Sequence, residues 1–151
     1  CAIAKTVWHE TYDDLLPPGQ PDYMIEKFQS DHAVKEQMAR ENYRYVLAKL
    51  GEAYVGFVGY APRYQGQEEM YLSKAYILPQ GRGQGVVGAL FRLVEEETKK
   101  EGRSRVRLTV NKGNAHAKAV YEHYGYRTVE AVQSDIGGGY VMDDYVMVKE
   151  L

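Results

Sequence analysis

The pattern of apolar and polar positions divides the chain into helical and extended stretches. From Ile3 to Leu16 the apolar residues Ile3, Val7, Trp8, Tyr12, Leu15 and Leu16 recur at helical spacing, which predicts an amphipathic helix stopped by Pro17-Pro18-Gly19. Asp22 to Phe28 reads as further helix, and Ser30 stands where an N-cap belongs, ahead of a helix running to about Arg40. Tyr43–Ala48 and Ala53–Tyr60 read as strands of a hairpin turning at Gly51-Glu52. A polar connection over 62–69 leads into an apolar run from Met70 to Leu78, a third strand. Val87, Leu90, Phe91, Val94 and Thr98 line one face of a helix opening at Val86, with Glu95, Glu96, Lys99 and Lys100 opposite and Gly102 as its C-cap. Val106, Leu108 and Val110 alternate with Arg105, Arg107 and Thr109, the signature of a strand. After a turn at Asn111-Lys112-Gly113-Asn114, Ala117, Val120, Tyr121 and Tyr124 share one face of a shorter helix closed by Gly125. Strands at Tyr126–Gln133 and Tyr140–Lys149, joined by Ser134–Gly139, finish the chain. This order predicts an α+β fold: one domain over 1–151 whose mixed, mostly antiparallel central sheet is flanked by helices.

Composition narrows the partners. The 44% hydrophobic content supplies one sizeable core, and a net charge of −2 argues against a nucleic-acid partner, which would call for a basic stripe. No apolar run is long enough to span a membrane and no signal-peptide pattern is present, while a lone Cys1 leaves no internal disulfide. The expected location is the cytoplasm, with no membrane partner. Fourteen tyrosines against three phenylalanines are mostly amphipathic core and strand filler, with the remainder available to line a pocket with hydroxyl-tipped rings.

The chemistry centres on Gln80-Gly81-Arg82-Gly83-Gln84-Gly85, between a strand and a helix. Closely spaced glycines let the backbone turn sharply and approach a ligand, and the helix that follows presents unpaired amides and the positive end of its dipole. That is an anion site suited to phosphates, with Arg82 as a cation at its mouth. Gly83-Gln84-Gly85-Val86-Val87-Gly88 also matches the dinucleotide fingerprint, so a nucleotide-binding oxidoreductase domain is one alternative. That fingerprint wants an acidic residue ending the next strand, and Leu108-Thr109-Val110-Asn111 has none.

Gln80-x-x-Gly83-x-Gly85, followed downstream by Asn114-x-x-Ala117-x-x-x-Tyr121-x-x-x-Gly125-Tyr126, resembles the GCN5-related N-acetyltransferase (GNAT) family. Trp8–Tyr12, Asp22–Ser30 and Leu72-Ser73-Lys74-x-Tyr76-Ile77 are most similar to its PaiA-type spermidine/spermine acetyltransferases. The resemblance implies acetyl-CoA as cofactor and a primary amine of a small molecule as acceptor, with a polyamine as the candidate. It also implies that Met70–Leu78 and Arg105–Val110 are parallel strands splayed around the pantetheine arm. Main-chain groups of Ile77 and Leu78 then bind that arm, an N–H near Leu78 polarises the carbonyl, and Gln80, Gly81, Arg82, Gly83, Gln84, Gly85 and Val86 hold the diphosphate. The motif's first position is often arginine; here it is Gln80, with Arg82 as substitute cation. Tyr121 is implied as general acid. Asn114 both caps its helix and touches the cofactor, and Lys118 either reaches the 3′-phosphate or stands solvated on the helix face.

No base is assigned. His9, His32, His116 and His123 are scattered without triad-like or metal-like spacing, leaving Glu26, Glu68, Glu69 or a water chain. Glu10, Asp22 and Glu26 are the candidate amine-binding carboxylates, with Asp13, Asp14, Asp143 and Asp144 as further acidic positions. Val141, Val146 and Met147 either form a homodimer surface or face the core, and the chain opens directly in a helix, as if a leading strand were missing. A CoA-binding regulatory module without turnover is the second alternative.

Overall fold

Residues 1–151 are described by a computed structural model. Helix α1 spans Ala2–Tyr12 and stops short of Leu15 and Leu16, whose amides both turn back on the Tyr12 carbonyl (3.2 and 3.1 Å). A residue before proline is pushed out of helical conformation, so the Pro17-Pro18 pair unwinds the turn ahead of it. Helix α2, Gln20–Met24, carries Pro21 in its first turn, where no amide partner is lost, and widens into a π-turn over Ile25–Gln29. Ser30 then caps α3, Asp31–Arg40, by accepting the Ala33 N–H at 3.2 Å.

The strands are β1 (Arg44–Leu50), β2 (Ala53–Pro62), β3 (Met70–Ile77), β4 (Arg105–Asn111), β5 (Arg127–Gly137) and β6 (Tyr140–Glu150). Helix α4 (Val86–Lys100) connects β3 to β4, and α5 (Ala115–His123) follows β4. The single sheet runs β1-β2-β3-β4-β6-β5, and only β3 and β4 are parallel. The stretch 134–139, expected as a connection, is mostly ladder: pairing continues to Gly137↔Tyr140, and Gly138 and Gly139 turn with φ of 63° and 79°.

A bulge in β3 organises the rest. Gly59 pairs with Lys74 and Tyr60 with Leu72, which leaves Ser73 without an opposite residue. Met70 and Leu72 point into the main core, whereas Lys74 and Tyr76 beyond the bulge point to the other face. Under α4 and α5 lies the dense core, which includes Met70, Leu90, Phe91, Val94, Val106, Leu108 and Met147. The opposite face is covered by α1 to α3 around a small cluster of Trp8, Met24 and Ile136. Val146 and Met147 are buried, so of the expected dimer strip only Val141 is exposed.

Candidate active site

Strands β3 and β4 pair only at Met70↔Val106 and Tyr71↔Arg107, then diverge. The gap opens a cavity of about 1210 Å³ reaching both faces of the sheet. Single-ligand clefts run from ~300 to ~1,000 Å³, so this one has room for a long ligand and a second molecule. The Leu78 amide is not available to it: that N–H donates to the Val55 carbonyl at 2.7 Å, which corrects its expected role as carbonyl polariser. Because strand amides alternate in direction, the main-chain groups of Ala75 and Ile77 are the ones turned toward the gap. The Ile77 carbonyl accepts from Arg82 Nε and Nη2 at 3.2 and 3.0 Å.

The glycine loop closes the open end of the gap. A Cβ on Gly81 would sit 2.8 Å from the Val55 Cβ, so only glycine packs there. Gly83 and Gly85 have φ of 73° and 78°, a region costly for other residues. None of the amides from Gly83 to Gly88 donates to a main-chain or side-chain acceptor; the first that does is Ala89, to Gly85 O at 3.2 Å. Consecutive free amides at the start of a fifteen-residue helix form an anion cradle. Gly81, Arg82, Gly83, Gly85 and Val86 lie on the cavity wall, while Gln80 and Gln84 are exposed outside it. Arg82 is ion-paired to Glu10 Oε1 at 2.6 Å, which ties α1 to the loop and occupies Glu10.

Asn114 caps α5 by accepting the Ala117 N–H and donates to the Tyr12 hydroxyl, each at 3.2 Å. Tyr121 stacks on Phe91, with centroids 5.8 Å apart and planes at 22°, and lines the cavity with its hydroxyl free of protein hydrogen bonds. Burial, then the neighbouring phenols of Tyr12 and Tyr71, push the Tyr121 pKa up, so it stays a proton donor at neutral pH. Lys118 lies outside the cavity wall, 3.3 Å from Glu122 and 5.6 Å from the centroid of the Tyr145 ring.

The wall under α1 to α3 holds Asp144, one of the further acidic positions named from sequence, beside Lys74, Tyr76 and Arg107, to which sequence reasoning gave no role. Asp144 on β6, opposite Asn111 of β4, is 5% exposed and lines the cavity, and its carboxyl makes no hydrogen bond to another side chain or to the main chain. Burial and then the adjacent Asp143 push its pKa up to about 6, against the pull of Lys112. Lys74, buried on the same wall, donates to the Phe28 carbonyl at the end of the π-turn (2.6 Å) and to Gln37 Oε1 (2.8 Å), and burial lowers its pKa to about 7. The Tyr76 hydroxyl receives Trp8 Nε1 at 2.8 Å and Gln29 Nε2 at 3.2 Å. Arg107 is part-buried on the wall without a partner. The one available signal was the polar stripe of β4, whose other stripe is core.

Most of the proposed carboxylates are elsewhere. Asp22 is 3.2 Å from His9 Nε2, Asp13 is 2.8 Å from His9 Nδ1, and Asp143 is 2.8 Å from Lys112. His9 therefore does pair with carboxylates, and its i,i+4 relation to Asp13 was readable as a helix pair. Glu26 is exposed off the wall, leaving Glu10 and Asp144 as the members of the set that line the cavity.

A family profile, the acetyltransferase (GNAT) domain, matches residues 12–142. The chain belongs to the GNAT family. An uncharacterized N-acetyltransferase of Mycobacterium tuberculosis is 36% identical over 95 residues, which spans 62% of this chain and 60% of that protein. Among solved structures, the PaiA N-acetyltransferase from Thermoplasma acidophilum in complex with coenzyme A superposes with a TM-score of 0.78 at 18% identity, covering 99% of this chain and 89% of that one. A GNAT family acetyltransferase from Elizabethkingia anophelis with acetyl-CoA bound gives 0.65 at 16%, covering 91% and 94%. At these identities the superpositions establish the α+β fold with its mostly antiparallel sheet. No helix of the GNAT domain is long and apolar enough to cross a membrane.

Proposed function

We propose that this GNAT domain is an acetyl-CoA-dependent N-acetyltransferase that moves an acetyl group to the primary amine of a small molecule. The observation that carries the reading is the run of free amides from Gly83 to Gly88 at the mouth of the splayed β3–β4 pair. Those amides suit a diphosphate, and the exposed edge of β3 at Ala75 and Ile77 suits the amides of a pantetheine arm. Mycobacterial relatives named N-acetyltransferases, and PaiA and Elizabethkingia structures holding CoA and acetyl-CoA, support the same reading.

Acetyl-CoA supplies the acetyl group already activated as a thioester; the chain's residues manage protons and charge. Asp144 accepts the proton that the acceptor nitrogen sheds as the C–N bond forms. The acceptor attacks as its neutral amine, the minor form of an ammonium near pKa 10.4 that has already left one proton to solvent; attack makes the nitrogen cationic and acidic, and the second proton it then sheds is the one a carboxylate near 6 takes. Tyr121 holds a proton toward the departing sulfur. Its raised pKa stands above that of a thiol, about 8.5, so its part is a hydrogen bond to developing negative charge more than full transfer. Asn114, fixed by its cap and by Tyr12, keeps α5 and hence Tyr121 in register with the gap. A polyamine, the acceptor that the resemblance implies, would draw on Asp144 and Glu10, but Glu10 is already engaged by Arg82, which leaves a polycation one free carboxylate on the wall.

The test is release of free thiol from acetyl-CoA with a panel of primary amines, beside a thermal-shift comparison of CoA with NAD. CoA is expected to raise the melting temperature and at least one amine to release thiol. Tyr121→Phe is expected to lower kcat by roughly 10²-fold while preserving the CoA-induced shift. Stabilisation by CoA with no thiol release from any amine would assign a regulatory module instead.

A further inference from the structure

We propose that the acceptor carries an anionic group, a carboxylate or phosphate, as well as its amine, and that Arg107 binds this anion while Asp144 receives the amine. The proposal rests on the acyl-transfer reading above and specifies its substrate class.

Arg107 stands where β3 and β4 part, its Cα opposite Tyr71 on one side and Val148 on the other. It faces the cavity with no ion pair and no hydrogen bond. Its strand neighbour Arg105, on the same polar stripe, is by contrast held by Glu150 at 2.6 Å. A guanidinium is always charged and presents a planar fork that fits carboxylate or phosphate oxygens in pairs. A part-buried one without a counter-ion, aimed into a cavity, is an unfilled half of such a pair.

The missing partner is not the cofactor's diphosphate. That group belongs at residues 83–88, and from the level of Tyr71 to Ile77 alone is six residues of strand, about 20 Å. Arg107 lies at the closed end of the gap, on the acceptor wall. Tyr71, directly opposite Arg107, feels both charged groups: burial raises its phenol, Arg107 pulls it down and Asp144 pushes it up. The arginine and the aspartate nonetheless do not pair with each other. Asp144 sits opposite Asn111, four residues along β4 from Arg107, which separates their Cα levels by about 13 Å. The wall is therefore bipolar: a cation at the apex of the gap, an anion toward its opening, and hydroxyls between. Tyr43 and Ser73, hydrogen-bonded at 2.7 Å, supply further hydroxyls on this wall. A polycation would set a second ammonium against Arg107, with the Lys74 amine deeper on the same wall. A short molecule with an amine at one end and an anion at the other meets each charge with its opposite.

The experiment compares matched acceptors: straight-chain alkylamines against ω-amino carboxylates of the same chain lengths, with phosphoethanolamine as the phosphate arm and spermidine as the polycation arm. The anionic member is expected to exceed its alkyl match at least tenfold in kcat/KM at one or more lengths. Carboxylate and phosphate arms then distinguish the two sources of the anion. Arg107→Gln is expected to raise KM for the anionic acceptor and erase its advantage, with the CoA-induced thermal shift retained; Arg107→Lys, which keeps the charge without the fork, should recover part of it. A second readout needs no turnover: with CoA present, the preferred amino acid raises the melting temperature of the wild type and not of Arg107→Gln. Spermidine or plain alkylamines outperforming every anionic acceptor would overturn the proposal, as would an advantage untouched by Arg107→Gln. If no acceptor releases thiol, the acyl-transfer reading falls separately, and the thermal shifts alone decide the anion site.

Discussion

The two sides of β4 make opposite use of one alternating pattern. Val106, Leu108 and Val110 enter the core under α4, where they are 0 to 5% exposed. Arg107, Thr109 and Asn111, interleaved with them, face the cavity under α1 to α3. In an ordinary half-solvated sheet the polar stripe is simply the wet side. Here helices roof that side, so its polar groups are enclosed with one another, and burial there raises the Asp144 carboxyl and lowers the Lys74 amine. The lesson is that one face of β4 is given over to packing and the other lines the cavity, and substitutions should separate the two.

The widest separation is expected at Leu108, fully buried in the core. Leu108→Ala should cost about 3–4 kcal/mol in urea unfolding, with turnover per folded molecule nearly intact. A loss of kcat with stability preserved would break the division. Asp144→Asn should do the reverse: a fall of at least about 10² in kcat/KM at pH 7, with no loss of stability. The sign follows from linkage. The folded-state pKa of Asp144 lies near 6, above its ordinary 3.8, so the folded protein binds the proton more tightly and stability falls as pH rises between those values. By neutral pH that costs on the order of 1–2 kcal/mol after allowing for water in the cavity. Asn removes the cost, and the melting temperature should rise by ~2–4 °C. In the wild type, kcat/KM should drop as pH falls through about 6, and this limb should vanish in Asp144→Asn. Arg82→Ala should have the smallest effect, a few-fold weakening of CoA binding by calorimetry, because its guanidinium is already shared between Glu10 and the Ile77 carbonyl. A loss of 10²-fold or more would show that Arg82, rather than the free amides, carries the diphosphate.

What was legible in the sequence was local. Ser30 as a cap, Val86 as the start of α4, the glycine loop and the alternation of β4 each depend on a few adjacent residues. The early end of α1 was also within reach, since Pro17-Pro18 constrains the residues before it. The cavity wall was less accessible. Asp144 and Arg107 become neighbours of Tyr71 only through the order β3-β4-β6, and Asp143, its equal in sequence, is spent on Lys112. Nothing short of the pairing register shows that the Leu78 amide is taken by Val55. Glu10 looked like an amine ligand until the loop folded back to place Arg82 beside it.

The unpaired Ser73 sets the phase of everything after it in β3. Without that extra residue the strand would keep its parity. The amine of Lys74 would be driven among Leu90 and Val94, and Tyr76 would lose the indole of Trp8. A single-residue offset thus hands the core-facing positions of the strand from Met70 and Leu72 to Ala75 and Ile77, and turns Lys74 and Tyr76 to the roofed side.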